Sequence, residues 1–272
     1  MENDTNNFGK IEDNIYKETF IPYTFNCDID TKANLDWIFE IVQESVGSHD
    51  FSHNCYIINL RKIGLTRVIS REKVQIFKYP KWREKVFVET WAENTFRKVL
   101  IPRIVQAKNE AGDILFKATT LWAIIDLKTN KPILPNIILD KIGFPQIPNK
   151  EKFHIKKRDF IDDEKSIISR FKPIINYSDT DINHHVNNIS YLRWSLRSIP
   201  NQFRKDHIVE KIDVSWLKQT FLDDNVEIIT TSDNDQALST DSPTFYHKLI
   251  RYEKDNSKQV VFEAKSTWEK RD

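Results

Sequence analysis

Between Asp179 and Asn188 the chain packs two aspartates, two histidines and three asparagines into ten residues, Asp179-Thr180-Asp181-Ile182-Asn183-His184-His185-Val186-Asn187-Asn188. Directly after this run, Ile189, Leu192, Leu196 and Ile199 recur at helical spacing, and Pro200 ends the pattern. The polar run therefore stands at a helix entrance. Capping of free backbone N–H groups accounts for one Asp and one Asn there, but not for the whole cluster. Metal binding by His184 and His185 is disfavoured, because adjacent side chains usually point apart and no third ligand is near in sequence; no metal is expected. The chemistry that fits is activation of a carbonyl. The positive end of a helix dipole favours developing negative charge, and a neighbouring carboxylate and imidazole can activate water. Asp181, Asn183 and His185, at alternate positions, are the candidate residues.

Other chemistries lack their residues. There is no Gly-x-Ser-x-Gly elbow. Neither Cys27 nor Cys55 lies near the histidines in sequence, and two cysteines so spaced suggest neither a disulfide framework nor a metal site. A reducing cytoplasm is the simplest compartment. The five glycines form no dinucleotide or phosphate loop, and no cofactor is expected. A net charge of +1 excludes a strong electrostatic case for nucleic acid or a membrane surface. No apolar run reaches the roughly 18 residues that a membrane span needs.

The elements that would position the cluster come as a weak duplication. Val74-Gln75-Ile76 matches Val214-Ser215-Trp216, and Glu84-Lys85-Val86 matches Asp224-Asn225-Val226, both at an offset of 140. Phe116, Ala118 and Trp122 recur as Phe262, Ala264 and Trp268 at an offset of 146. Asp28 and Asp30 precede a first helical pattern (Leu35, Ile38, Phe39, Val42, Val46, with Gly47 as its stop) as Asp179 and Asp181 precede the second. Strand-like runs follow each helix: Val86–Ala92, Val99–Ala107 and Ile114–Ile125, then Ile212–Trp216, Val226–Thr231, Phe245–Tyr252 and Val260–Trp268. Asn109–Gly112 supplies a hairpin turn. The expected architecture is α+β: two tandem units, each one helix against antiparallel strands. The boundaries read as a mobile tail over 1–14, a first unit over 15–135, a proline-marked linker over 136–170 (Pro132, Pro135, Pro145 and Pro148 mark the connection), and a second unit over 171–272. Pairing Asp30 with Asp181 sets Lys32 against Asn183 and Asn34 against His185. Only the second unit then carries the full polar set, and the first is left as binding surface.

The run Asp181-Ile182-Asn183-His184-His185-Val186-Asn187-Asn188-Ile189-Ser190-Tyr191 resembles the D-x-N-x-H-V-N-N-x-x-Y motif of plant and bacterial acyl-acyl carrier protein thioesterases. Gly64–Arg71, Tyr79-Pro80-Lys81-Trp82 and Val86–Trp91 resemble segments of the same family, and the likeness extends over roughly residues 15–268. The resemblance implies a double-hotdog fold, two long helices each wrapped by an antiparallel sheet, with the ligand tunnel where the pair meets. It implies hydrolysis of fatty acyl-carrier protein to free fatty acid, with Asp181, Asn183 and His185 as the catalytic set. The partner it implies is an acyl carrier protein bearing a phosphopantetheine-linked chain. Family members often carry a carboxylate, and in plants a following cysteine, on a later strand. The run Trp216–Phe221 places Gln219 and Thr220 there, a departure that removes one base and the cysteine nucleophile. Gln219 then either orients water or only fills space. An acyl-coenzyme A hydrolase and a non-catalytic acyl-binding protein are the competing functions. Acyl chain length and oligomeric state, a homodimer included, are not legible.

Acyl carrier proteins are acidic. Between Arg61 and Lys85 nine basic residues stand among only Glu72 and Glu84, and Arg71, Lys78 and Arg83 are the candidate docking residues. Lysines that blunt a strand edge would explain much of the same run.

Overall fold

A computed structural model describes residues 9–145, 166–255 and 257–271. The chain divides into two compact units, residues 1–155 and 156–272. Among the described residues no helix is long and apolar enough to cross a membrane.

The first unit runs β1 (Lys10–Glu12), β2 (Ile15–Phe20), α1 (Leu35–Ser52), α2 (Ile57–Lys62), β3 (Leu65–Ile76), β4 (Val86–Ala92), β5 (Leu100–Lys108), β6 (Ile114–Asp126), β7 (Lys131–Ile133) and α3 (Asn136–Ile142). Its strands pair antiparallel in the order β1-β2-β4-β5-β6-β3, with β7 on β6. The anticipated turn joins β5 to β6: Gly112 takes φ 86°, its amide donates to the Asn109 carbonyl, and the Asn109 side chain accepts from the Asp113 amide. Helix α1 lies against β2, β4 and β5. It buries Ile38, Phe39, Val42 and Val46 completely, each contributing about 1.5–3 kcal/mol.

Gly47 does not stop this helix. α1 continues through it to Ser52, because its next turn is buried as well, through His49 and Asp50. The guanidinium of Arg67 (β3) lies over Gly47, with Nη2 3.8 Å from where a Cβ would stand, and over the Trp122 ring at 4.3 Å. The stop is Asn54, at φ 55°. The Asn54 amide donates to the Phe51 carbonyl and the Cys55 amide to the Asp50 carbonyl, the paired bonds of a left-handed helix end. Behind this end, Arg103 (β5), buried, donates to Asp50 Oδ1 and contacts His49 Nδ1, both at 2.6 Å, and Arg67 also pairs with Asp50. Burial first, and the Arg103 charge next, push the His49 imidazole down to about 2.

Two boundaries move. The expected tail contains β1, which pairs with β2 over residues 10–17; residues 1–8 lie outside the described residues. The expected linker contains α3 and β8 (Ser166–Phe171); its residues 146–165, Pro148 among them, are likewise outside. Pro132 sits in the three-residue strand β7 and Pro135 caps α3, positions that need no backbone N–H donor.

After β8 the second unit continues with α4 (Asn188–Arg197), α5 (Asn201–Asp206), β9 (His207–Trp216), β10 (Asn225–Ser232), β11 (Thr244–Tyr252) and β12 (Lys258–Lys270). Its antiparallel order is β9-β12-β11-β10-β8. The sequence repeat is realised as strand register. Val74 faces Ala118 and Ile76 faces Phe116 in the first unit; Val214 faces Ala264 and Trp216 faces Phe262 in the second. Each ladder then shifts register, passing over Ser70 and Glu210, before pairing Ile69 with Trp122 and Val209 with Trp268. Each indole N–H donates to the hydroxyl two residues earlier, Trp122 to Thr120 at 2.7 Å and Trp268 to Ser266 at 2.9 Å. Both units thus have the helix-and-antiparallel-sheet build of a hotdog unit.

Candidate active site

The polar run divides into a scaffold and a presented set. A short 3₁₀ turn, Tyr177–Asp179, opens it. Asp179 faces inward: its carboxylate accepts from the Asn176 amide at 2.9 Å and the Ser190 hydroxyl at 2.8 Å, and its carbonyl accepts from the Asn187 amide at 2.7 Å. Asn187 is the N-cap of α4, its side chain accepting from the Ser190 amide at 2.9 Å. One Asp and one Asn are therefore spent on capping, as the composition of a helix entrance requires.

Between them, Thr180 and Val186 bridge and close a tight loop over residues 181–185. The Asp181 amide donates to the His185 carbonyl at 3.0 Å, and the His184 amide to the Asp181 carbonyl at 3.0 Å. His184 takes the left-handed conformation, φ 62°, and is exposed; Asp181, Asn183 and His185 are half-buried. Asn183 holds the carboxylate from both sides, its backbone N–H on Asp181 Oδ1 at 2.8 Å and its Nδ2 on Oδ2 at 3.1 Å. A carboxylate so held keeps lone pairs open for a further donor such as water. The His185 ring meets the Phe221 ring edge-on, centroids 5.8 Å apart.

The second support is the loop leaving β9. The Thr220 carbonyl accepts the Val186 amide at 2.8 Å. Leu217 and Lys218 amides both donate to the Val261 carbonyl, and the Phe221 amide donates to the Asp224 carboxylate at 2.9 Å. Gln219 is exposed on this loop. Its carbonyl is held by Arg251 at 2.7 Å, while its carboxamide has no hydrogen-bond partner among the described residues. Phe221 and the Thr220 carbonyl are contributors that the residue pattern did not single out. Their signal was present in the repeat, since Glu84 matches Asp224. The Glu84 carboxylate accepts the Lys81 amide at 2.8 Å, as Asp224 accepts Phe221.

The first unit repeats this frame and corrects the pairing of the two loops. Asp28 N–H donates to the Lys32 carbonyl as Asp181 N–H does to His185, and Thr31 and His184 share φ 62°. Asp28 Oδ1 accepts from the Asp30 amide as Asp181 Oδ1 accepts from Asn183. The Ala33 amide donates to Pro80 as Val186 does to Thr220. Asp181 therefore corresponds to Asp28, Asn183 to Asp30 and His185 to Lys32. The Asp30–Asp181 match was side-chain identity alone; backbone hydrogen bonds set the register two residues away. In either register the first unit lacks the Asn and His.

The docking candidates lie in the first unit at separate places. Arg71 is half-buried on β3, across from Leu121. Lys78 is exposed and pairs with Asp113 at 3.3 Å. Arg83, at φ 65°, stands over the Tyr23 ring at 4.9 Å and the Trp82 ring at 5.7 Å. With about 3.3 Å of rise per strand residue, Arg71 is set well away from the other two.

Comparison with known proteins matches residues 13–139 to the acyl-ACP thioesterase N-terminal domain and residues 161–270 to the acyl-ACP thioesterase C-terminal domain. The chain is similar to oleoyl-acyl carrier protein thioesterase 2 of Arabidopsis thaliana, 27% identical over 83% of this chain. It is 23% identical to a dodecanoyl-[acyl-carrier-protein] hydrolase of Cinnamomum camphora over 80% of this chain. It spans 66% and 59% of those relatives' lengths. Among solved structures, the 12:0-ACP thioesterase from Umbellularia californica superposes with a TM-score of 0.80 at 20% identity, covering 96% of this chain and 100% of that one. An acyl-ACP thioesterase from Bacteroides thetaiotaomicron gives 0.73 at 22% identity, covering 94% and 98%. These structures share the double-hotdog fold with this chain.

Proposed function

The chain belongs to the acyl-ACP thioesterase family, and from that premise we propose that it hydrolyses the thioester of fatty acyl-acyl carrier protein, releasing free fatty acid and ending chain elongation. The observation that carries this reading is the loop over 181–185, where Asn183 holds the Asp181 carboxylate by both oxygens and His185 stands against Phe221. The first unit keeps the loop and lacks Asn and His, so the chemistry is assigned to the second unit alone.

In the proposed reaction Asp181 takes a proton from water as its oxygen attacks the thioester carbonyl. His185 donates a hydrogen bond to the carbonyl oxygen as it gains negative charge, and Gln219 orients the water. Collapse of the tetrahedral intermediate breaks the C–S bond, and the proton held by Asp181 passes to the departing sulfur. The products are the free acid and the phosphopantetheine thiol of the carrier. Asn183 fixes the carboxylate throughout. The partner is an acyl carrier protein docked near Arg71, Lys78 and Arg83. The cytoplasm suits both cysteines, which are free thiols.

Turnover of acyl-carrier-protein and acyl-coenzyme A thioesters, over a panel of chain lengths, tests the function. Faster hydrolysis of the carrier-protein series is expected. Preference for coenzyme A would reassign the substrate, and no fatty acid from either series would overturn the enzymatic reading.

A further inference from the structure

Arg251, on β11, ties the strands to the loop beside the candidate site by its side chain. Its guanidinium is held at the rear by Glu253 (Nε at 2.8 Å, Nη2 at 2.7 Å) and by Gln259 Oε1 (Nη2 at 2.8 Å). Nη1 points the other way, onto the Gln219 carbonyl at 2.7 Å and the Asp224 carboxylate at 3.5 Å. All three nitrogens are engaged, and the planar fork converts strand geometry into loop geometry with little freedom left. The loop so held carries Thr220, whose carbonyl takes the Val186 amide, and Phe221, whose ring meets His185.

Comparison of the two units singles this clamp out. The loop leaving β3 has the same backbone frame: Phe77 and Lys78 amides donate to Leu115, as Leu217 and Lys218 donate to Val261. Strand register sets Ala107 opposite Phe116 and Leu249 opposite Phe262. Two residues on, the counterpart of Arg251 is Asn109, which is used in its own turn with Asp113. The guanidinium clamp accompanies the unit that carries His185.

We propose that Arg251 is a positioning residue for the hydrolysis, acting through the Gln219–Asp224 loop to keep His185 aligned; this rests on the function proposed above. Arg251 sits at the back of the loop, its guanidinium committed to Glu253, Gln259, the Gln219 carbonyl and Asp224. Its effect is therefore expected on the chemical step rather than on acyl-carrier binding.

The test uses Arg251→Gln and Arg251→Lys in the full chain, each also placed in a His185→Ala background. Thermal unfolding confirms the folded state, and kcat and KM are measured on the best acyl-carrier-protein substrate of a chain-length panel. Misplacement on the ångström scale can cost about 100-fold. We expect kcat to fall roughly 10- to 100-fold with KM within about threefold. Neither change should lower kcat further once His185 is removed. A lysine retains the charge but not the fork, so it should rescue only in part. Wild-type kcat in both Arg251 variants would overturn the proposal, as would the same fold-loss with His185 already absent, because that would mark an effect that does not pass through His185. If Arg251→Gln does not fold, Arg251→Lys carries both comparisons. Wild-type turnover by His185→Ala alone would instead remove the underlying functional assignment, whatever Arg251 does.

Discussion

Asn183 holds Asp181 by both carboxylate oxygens, with its backbone N–H on one and its side-chain amide on the other. Asp181→Ala removes the proposed base and should lower kcat by roughly 10²–10⁴-fold with the fold intact. Asn183→Ala keeps the backbone contact and the carboxylate but releases one oxygen, and should cost about tenfold, up to the 100-fold of a misplaced group. Near-normal turnover by Asp181→Ala would end the assignment.

His185→Ala should lose activity on the same 10²–10⁴-fold scale, while Cys27→Ala and Cys55→Ala stay active. The Cys55 thiol is buried, donates to the Asp50 carbonyl at 3.3 Å and is pushed up to about 11 by burial, so it has little thiolate to offer. Gln219→Ala removes the neutral hydrogen bond to water proposed for it, worth about 1 kcal/mol or roughly a fivefold loss. An unchanged kcat would leave Gln219 as filler. Steady-state kinetics on one acyl-carrier-protein substrate read all four variants.

Reversal of Arg71, Lys78 and Arg83 to Glu should raise KM for acyl-carrier protein and leave a short acyl thioester without the carrier nearly unaffected. The effect should shrink with salt, since exposed charges are screened beyond about 8 Å at physiological ionic strength. Arg71 stands apart from Lys78 and Arg83, so the Lys78–Arg83 double reversal should give most of the effect. Equal losses on both substrates, or none on either, would remove this stretch as the docking face.

His247 should make the protein sensitive to mild acid. It is fully buried between the Thr230 hydroxyl at 2.9 Å and the Ser266 hydroxyl at 3.0 Å, and burial pushes its imidazole down to about 3. Above pH 6.5 it is neutral in both folded and unfolded chains and adds no pH dependence. As pH falls below 6.5 the unfolded chain takes up a proton that the folded chain refuses. Stability is thus lost progressively down to about pH 3, at about 1.4 kcal/mol per pH unit. Buried His49, pushed down likewise, adds a slope of its own, so urea unfolding between pH 7 and 5 should show at least this dependence, and His247→Gln should reduce it by about 1.4 kcal/mol per pH unit even if less stable at pH 7. An unaltered slope in that variant would exclude His247 as its source.

Gly47→Ala should stabilise the first unit by about 0.5–1 kcal/mol, because Gly47 lies inside α1 and not at its end. The new methyl would meet only Arg67 Nη2, at an ordinary 3.8 Å. A lower thermal midpoint would show that Arg67 needs that space.

By itself the sequence determined the polar loop at the second helix entrance, the duplicated α+β architecture and most strand positions. These rest on local signals: helical and alternating periodicity, a proline stop, a turn glycine, and a polar run too rich to be capping alone. The matches Val74/Val214 and Trp122/Trp268 were legible because each is a side chain fixed by strand register, and register repeats in both units. The tertiary structure decided what depends on partners distant in sequence. Gly47 looked like a helix end because nothing local shows that Arg67, twenty residues on, lies over it and pairs with Asp50 in the next turn. Asp30 looked like the mate of Asp181 because identity is visible in sequence and backbone hydrogen bonds are not; those bonds select Asp28. Arg251 carried no sequence signal at all. An exposed-looking arginine becomes a clamp only when sheet pairing sets Glu253 and Gln259 behind it and a loop carbonyl 32 residues away in front of it.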